Sequence, residues 1–122
     1  MKTENALLEK SFQFALRIIK LFKLLRENKV ERDLGLQILK SGTSIGANIE
    51  EAMGGSSKKE FMYKLEIAYR EARETRYWLC LLKESGLLES DLADSFIIDC
   101  EELIKFLTAI LKSLKIKASQ TS

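Results

Sequence analysis

Ser41-Gly42-Thr43-Ser44-Ile45-Gly46-Ala47-Asn48-Ile49-Glu50-Glu51-Ala52, followed by Gly54-Gly55-Ser56-Ser57-Lys58-Lys59-Glu60-Phe61, is the stretch that decides the fold. Its first half puts small residues and one Asn where a helical period calls for burial. Extending the period upstream gives one row of Leu34, Ile38, Ser41, Ile45, Asn48 and Ala52, and beside it Gly35, Leu39, Gly42, Gly46, Ile49 and Met53. Each interior Gly costs about 0.8–1 kcal/mol relative to Ala. Gly35, Gly42 and Gly46 in one row therefore imply a compensating close contact between helix backbones. Asn48 reads as a buried packing determinant that needs a hydrogen-bond partner, with Glu51 one turn away as the candidate. Polar groups of this kind can fix register between helices. The apolar phase runs through the segment, so one continuous helix is expected. A break near Ser41–Ser44 is the competing reading.

Gly54-Gly55 is expected to end this helix in a left-handed cap. Ser57-Lys58-Lys59-Glu60 then fits a capping box. The next helix has a seam of Phe61, Leu65, Ala68, Ala72, Thr75, Leu79 and Leu82, with Gly86 as its C-terminal cap. The middle of that seam is as slender as the helix before it, so these two helices are expected to nestle. Upstream, Leu8, Phe12, Ala15, Ile19 and Phe22 read as the core seam of a first helix. Phe14, Ile18, Leu21 and Leu25 form a second row beside it. Two rows are more than one seam needs: either this helix lies between two neighbours, or the extra row meets another subunit. Downstream, Ser90 is the expected cap of a fourth helix, broad in apolar residues from Leu92 to Leu114, with a frayed tail after Lys117. Helices are thus expected at about 4–28, 31–53, 58–85 and 90–116, joined by short connections, in one domain over 1–122. Short connections make neighbours antiparallel. The fold class is all-α, an antiparallel up-and-down four-helix bundle.

Composition agrees. The 122 residues contain no Pro, six Gly and 46% apolar residues, which permits long helices. Without any His, the usual general base and the usual partner of a Ser or Cys nucleophile are missing. Cys80 and Cys100 lack CxxC spacing, so no zinc site is expected, and both read as reduced thiols of a cytoplasmic protein. Glu50 and Glu51 are adjacent and diverge on a helix, unlike paired di-iron carboxylates. The glycines before Lys58 lack the Gly-Lys-Ser/Thr order of a phosphate loop. No enzyme, no metal and no cofactor are expected. No apolar run is long enough to span a membrane.

Charge is more informative in its distribution than in its total of +2. Residues 1–48 hold nine Lys/Arg against five Asp/Glu, and residues 89–117 hold four against six. Two cation sets are candidates for phosphate contact. Arg17, Lys20 and Lys23 fan over the first helix. Lys58, Lys59, Arg70, Arg73 and Arg76 lie along the third, with Tyr63 and Tyr77 interleaved. Such surfaces can hold phosphates and stack bases. Glu60–Lys64, Glu66–Arg70 and Arg70–Glu74 are also ordinary i,i+4 pairs, so a salt-bridged solvent face is the plain alternative. Trp78, beside Ile67 and Leu81, suits core padding or a subunit contact.

Ser44–Ala52, Ser57-Lys58-Lys59-Glu60-Phe61, Glu71–Leu79 and Ser85-Gly86-Leu87-Leu88 together resemble a bacterial family of four-helix-bundle proteins encoded by intervening sequences in 23S ribosomal RNA genes. The resemblance spans about residues 5–115. It implies a homopentameric ring and kinship with the accessory variability determinant of diversity-generating retroelements, a basic pentamer that binds nucleic acid and a reverse transcriptase. Asn48, Glu51, Lys58 and Lys59 match the family's Asn, Glu and lysines. Gly55 and Ser56 stand where many members carry two Arg. The expected function is a non-enzymatic, oligomeric bundle that binds RNA or DNA non-specifically through Arg17, Lys20, Lys23, Lys58, Lys59, Arg70, Arg73 and Arg76. The alternative is a scaffold for a partner protein, without nucleic acid.

Overall fold

A computed structural model describes residues 2–121 as four helices: α1 (Lys2–Glu27), α2 (Arg32–Met53), α3 (Lys58–Glu84) and α4 (Ser90–Thr121). Contacts join α1 to α2, α2 to α3, α3 to α4 and, most sparsely, α4 back to α1. That cycle is an up-and-down four-helix bundle with α1 and α3 on a diagonal. Helix α2 is continuous through Ser41–Ser44.

The ends differ in chemistry. Helix α1 closes with Lys29 in the left-handed region (φ 58°), its N–H bonded to Arg26 O at 3.0 Å and Val30 N–H to Leu25 O at 2.9 Å. Gly86 (φ 76°) closes α3 in the same way, with its N–H on Lys83 O and Leu87 N–H on Leu82 O, both at 3.1 Å. At the end of α2 the expected left-handed glycine is absent: Gly54 has φ −91° and the last turn tightens through three-residue hydrogen bonds instead. Ser57 caps α3 as expected, its Oγ accepting from Glu60 N–H at 3.1 Å. The cap of α4 is Glu89 rather than Ser90, its carboxylate accepting from Asp91 and Leu92 N–H at 3.1 and 3.0 Å. The tail expected to fray after Lys117 is helical through Thr121; Ser122 lies outside the described residues.

The core corrects the reading of α1. Leu7, Ser11, Phe14, Ile18, Leu21 and Leu25 are buried. The expected seam lies at the margin of the core instead, with Leu8, Ala15 and Phe22 half-buried and Phe12 59% and Ile19 45% exposed. The seam of α3 is as expected, with only Phe61 left half-buried. The glycine row of α2 points to α1, not to α3. A Cβ on Gly42 would lie 2.8 Å from Ile18 Cγ1, one on Gly46 3.4 Å from the Ser11 carbonyl oxygen, and one on Gly35 3.5 Å from Phe22. The slim α2–α3 contact is made by Ser41 and Thr75. Their buried hydroxyls are 3.0 Å apart, and Thr75 Oγ1 is 2.7 Å from the Glu71 carbonyl.

Candidate nucleic-acid interface

Two of the eight candidate cations are committed to the bundle. The Arg17 guanidinium pairs with Asp99, donates to Ser95 Oγ at 3.0 Å and stacks 4.0 Å over the Phe96 ring. It ties α1 to α4 across their sparse seam. Arg76 Nε donates to Glu101 at 2.9 Å, and that hydrogen bond raises the guanidinium pKa further above its ordinary value. Lys20, Lys23, Lys58, Lys59, Arg70 and Arg73 are exposed, with no ion pair among the described residues. Lys20 and Lys23 ride on α1, diagonal to α3, so one protomer does not bring the two candidate sets together.

Asn48 and Glu51 are not partners. Asn48 is half-buried, and its side-chain amide donates to the Ser44 carbonyl of its own helix at 2.8 Å. Glu51 pairs with Lys64 of α3 at 2.9 Å, which raises the Lys64 pKa.

The charges on α4 are divided along its length. In its first half, Asp94, Asp99, Glu101 and Glu102 pair with Lys83, Arg17, Arg76 and Lys10. No carboxylate side chain follows Glu102, while Lys105, Lys112, Lys115 and Lys117 do. There α3 and α4 frame an open groove of about 630 Å³, lined by Tyr69, Arg70, Thr108, Lys112 and Lys115, with Glu66 as its one carboxylate. Glu66 reaches Lys115 only at 3.7 Å. Exposed pairs of this kind are worth ~0–1 kcal/mol, so a phosphate can displace Glu66 at little cost. Lys112 also borders a shallow hollow on α4 shared with Lys117, and Lys117 borders a cleft at the bundle end with Lys58 and Lys59. The basic surface is therefore continuous from Arg70 to Lys58. Lys112, Lys115 and Lys117 were not singled out by sequence reasoning. Summing charge over residues 89–117 hid them; the absence of acid beyond Glu102 is the signal that reveals them.

Other chemistry is sparse. Cys100 is buried, its thiol donating to the Ala72 carbonyl at 3.2 Å, and burial pushes its pKa up to about 12. It is not a thiolate at neutral pH. Among the described residues, no three His, Cys, Asp or Glu side chains gather as a metal cluster would require. No helix there is long and apolar enough to cross a membrane.

Fold and surface thus define a four-helix bundle with a basic seam that Glu66 and Glu4 offset only in part. The chain belongs to the 23S rRNA-intervening sequence protein family, whose model matches residues 3–109. A crystal structure of a protein of unknown function from the S23 ribosomal protein family of Bacteroides thetaiotaomicron is 43% identical. It superposes with a TM-score of 0.86, over 90% of this chain and 98% of that one. A comparison with curated proteins finds no match.

Proposed function

We propose that the protein is a non-enzymatic, cytoplasmic, oligomeric bundle that binds RNA or DNA without sequence specificity. Its phosphate contacts are Arg70, Arg73, Lys112 and Lys115 in and beside the α3–α4 groove, continued by Lys117, Lys58 and Lys59. Lys20 and Lys23 join this surface only through a neighbouring copy. Arg17 and Arg76 leave the set because Asp99 and Glu101 hold them. The observation that carries the reading is the division of α4. Four of its five carboxylates, Asp94, Asp99, Glu101 and Glu102, are spent in ion pairs in its first half, while the exposed Lys112 and Lys115 line the groove beside Arg70 with Glu66 as the one carboxylate there. A homo-oligomer, pentameric by family resemblance, repeats each patch and raises avidity without new contacts.

Phosphate binding releases counterions, so affinity must fall with salt by about 0.7 log units per contact per decade for single strands. Fluorescence anisotropy of a labelled single-stranded RNA between about 50 and 200 mM salt tests this; flat binding refutes it. The scaffold reading is favoured by one observation. Phe12, Leu16 and Ile19 follow each other at helical spacing on α1 and are 59%, 40% and 45% exposed. In an oligomer this row is the candidate subunit contact. Protein purified free of nucleic acid, by its absorbance ratio, and unable to bind RNA would leave the scaffold standing.

A further inference from the structure

The cleft at the bundle end does not look like a phosphate site alone. It opens where α1 and α3 begin and α2 and α4 end, with a volume of about 930 Å³. Its floor is Met53, Phe61, Met62 and Leu114, all half-buried against the core. Its rim carries Lys58, Lys59 and Lys117, exposed and without an ion pair among the described residues, and Glu4 is the one carboxylate in the lining. Phosphate contacts need the lysines and have no use for the apolar floor. Methionine thioethers are flexible and suit surfaces that adapt to varied apolar shapes. An apolar floor with a cationic rim complements a segment that is apolar in the middle and acidic at its margins.

We propose that this cleft docks an acidic amphipathic helix of a partner protein. Leucine-like anchors enter between Met53 and Met62, and carboxylates reach Lys58, Lys59 and Lys117, the helix-in-groove mode of recognition. The proposal does not depend on nucleic-acid binding. Because Lys58 and Lys59 serve both readings, its test turns on Met62.

The chain has three methionines, so the carbon-13 methyl signals of Met53 and Met62 are easily separated in an NMR spectrum. The probe is a synthetic helical peptide of Leu, Glu and Ala with Leu every three to four residues. One control replaces Leu by Ser; another is a single-stranded RNA oligonucleotide. The Leu peptide should move both methyl signals and the Ser peptide should move neither. Met62→Gln should weaken peptide binding about five-fold through lost apolar contact and leave RNA affinity unchanged. Lys58→Glu with Lys59→Glu should weaken it about ten-fold or more. Methyl signals that stay still, or that respond equally to the Ser peptide, overturn the proposal. So does RNA that moves the Met53 and Met62 methyl signals as the Leu peptide does, since the apolar floor would then belong to nucleic acid. RNA that competes with the peptide while leaving those methyls still is sharing only the rim lysines and upholds the floor as the peptide's site. Peptide binding by a protein that fails to bind RNA would uphold this site and refute the other.

Discussion

Replacing Gly42 by Ala probes the packing at its tightest point. Ala would gain about 0.8–1 kcal/mol of helix propensity. Against that, its Cβ would meet Ile18 Cγ1, Cγ2 and Cδ1 at 2.8, 2.9 and 3.0 Å. Ile18 is fully buried, and a β-branched side chain in a helix is nearly fixed at χ1, so it cannot swing clear. Overpacking of this kind costs about 1–3 kcal/mol. The balance is a loss of about 1 kcal/mol, or ~4 °C in Tm for a chain of this size. Gly46→Ala is the control. Its Cβ would come no closer than 3.4 Å to Ser11, so propensity survives and stability should hold or rise by up to ~1 kcal/mol. Urea unfolding followed by far-UV circular dichroism reads both, as midpoint shifts at unchanged m-value. Ile18→Val, which deletes only Cδ1, should recover part of the Gly42→Ala loss in a double-mutant cycle. A Gly42→Ala protein as stable as the parent would refute the claim that this glycine exists for the α1 contact.

Other outcomes follow from particular atoms. Lys29→Gly should stabilise the protein by about 0.5–1 kcal/mol, because Lys29 sits at φ 58° where an L side chain is disfavoured; a urea midpoint that falls would contradict this. Thr75→Val should cost about 1–2 kcal/mol by stranding the buried Ser41 hydroxyl, and adding Ser41→Ala should return much of it. Iodoacetamide should label Cys80 in the native protein and reach Cys100 only after unfolding, as peptide mass spectrometry would show. The same burial raises the Cys100 pKa from 9.0 to about 12. Its contribution to stability is therefore full below pH 9.0 and declines as pH climbs toward 12, because the unfolded chain sheds that proton first. Cys100→Ala should lose this part of the alkaline slope in urea midpoints.

The bundle was legible because its helix signals agree. The α3 seam keeps strict spacing, the Ser57 cap stands at its start and Gly86 at its end, and no proline intervenes. On α1 the sequence offers two rows of equal apolarity, and only the neighbouring helices choose between them. The choice buried Ser11, which bonds back to the Leu8 carbonyl at 3.1 Å, and left Phe12 outside. Periodicity likewise placed Gly42 and Gly46 on one face without saying which helix that face meets. The Asn48–Glu51 pairing failed because Lys64 on the next helix offers Glu51 an opposite charge. At the basic surface, Arg70 and Arg73 were readable from α3 alone. The ion pairs of Arg17 and Arg76 were not legible because their acids lie far away in the chain, at Asp99 and Glu101.

The most direct test of the central claim compares salt dependence in two proteins. Arg70→Gln with Lys112→Gln removes two groove cations that hold no ion pair among the described residues, so folding should be untouched. If both meet phosphates, the slope of log K against log salt for single-stranded RNA should become shallower by about 1.4, two contacts at ~0.7 each. An unchanged slope, with the variant folded and binding as tightly as the parent, would contradict the account.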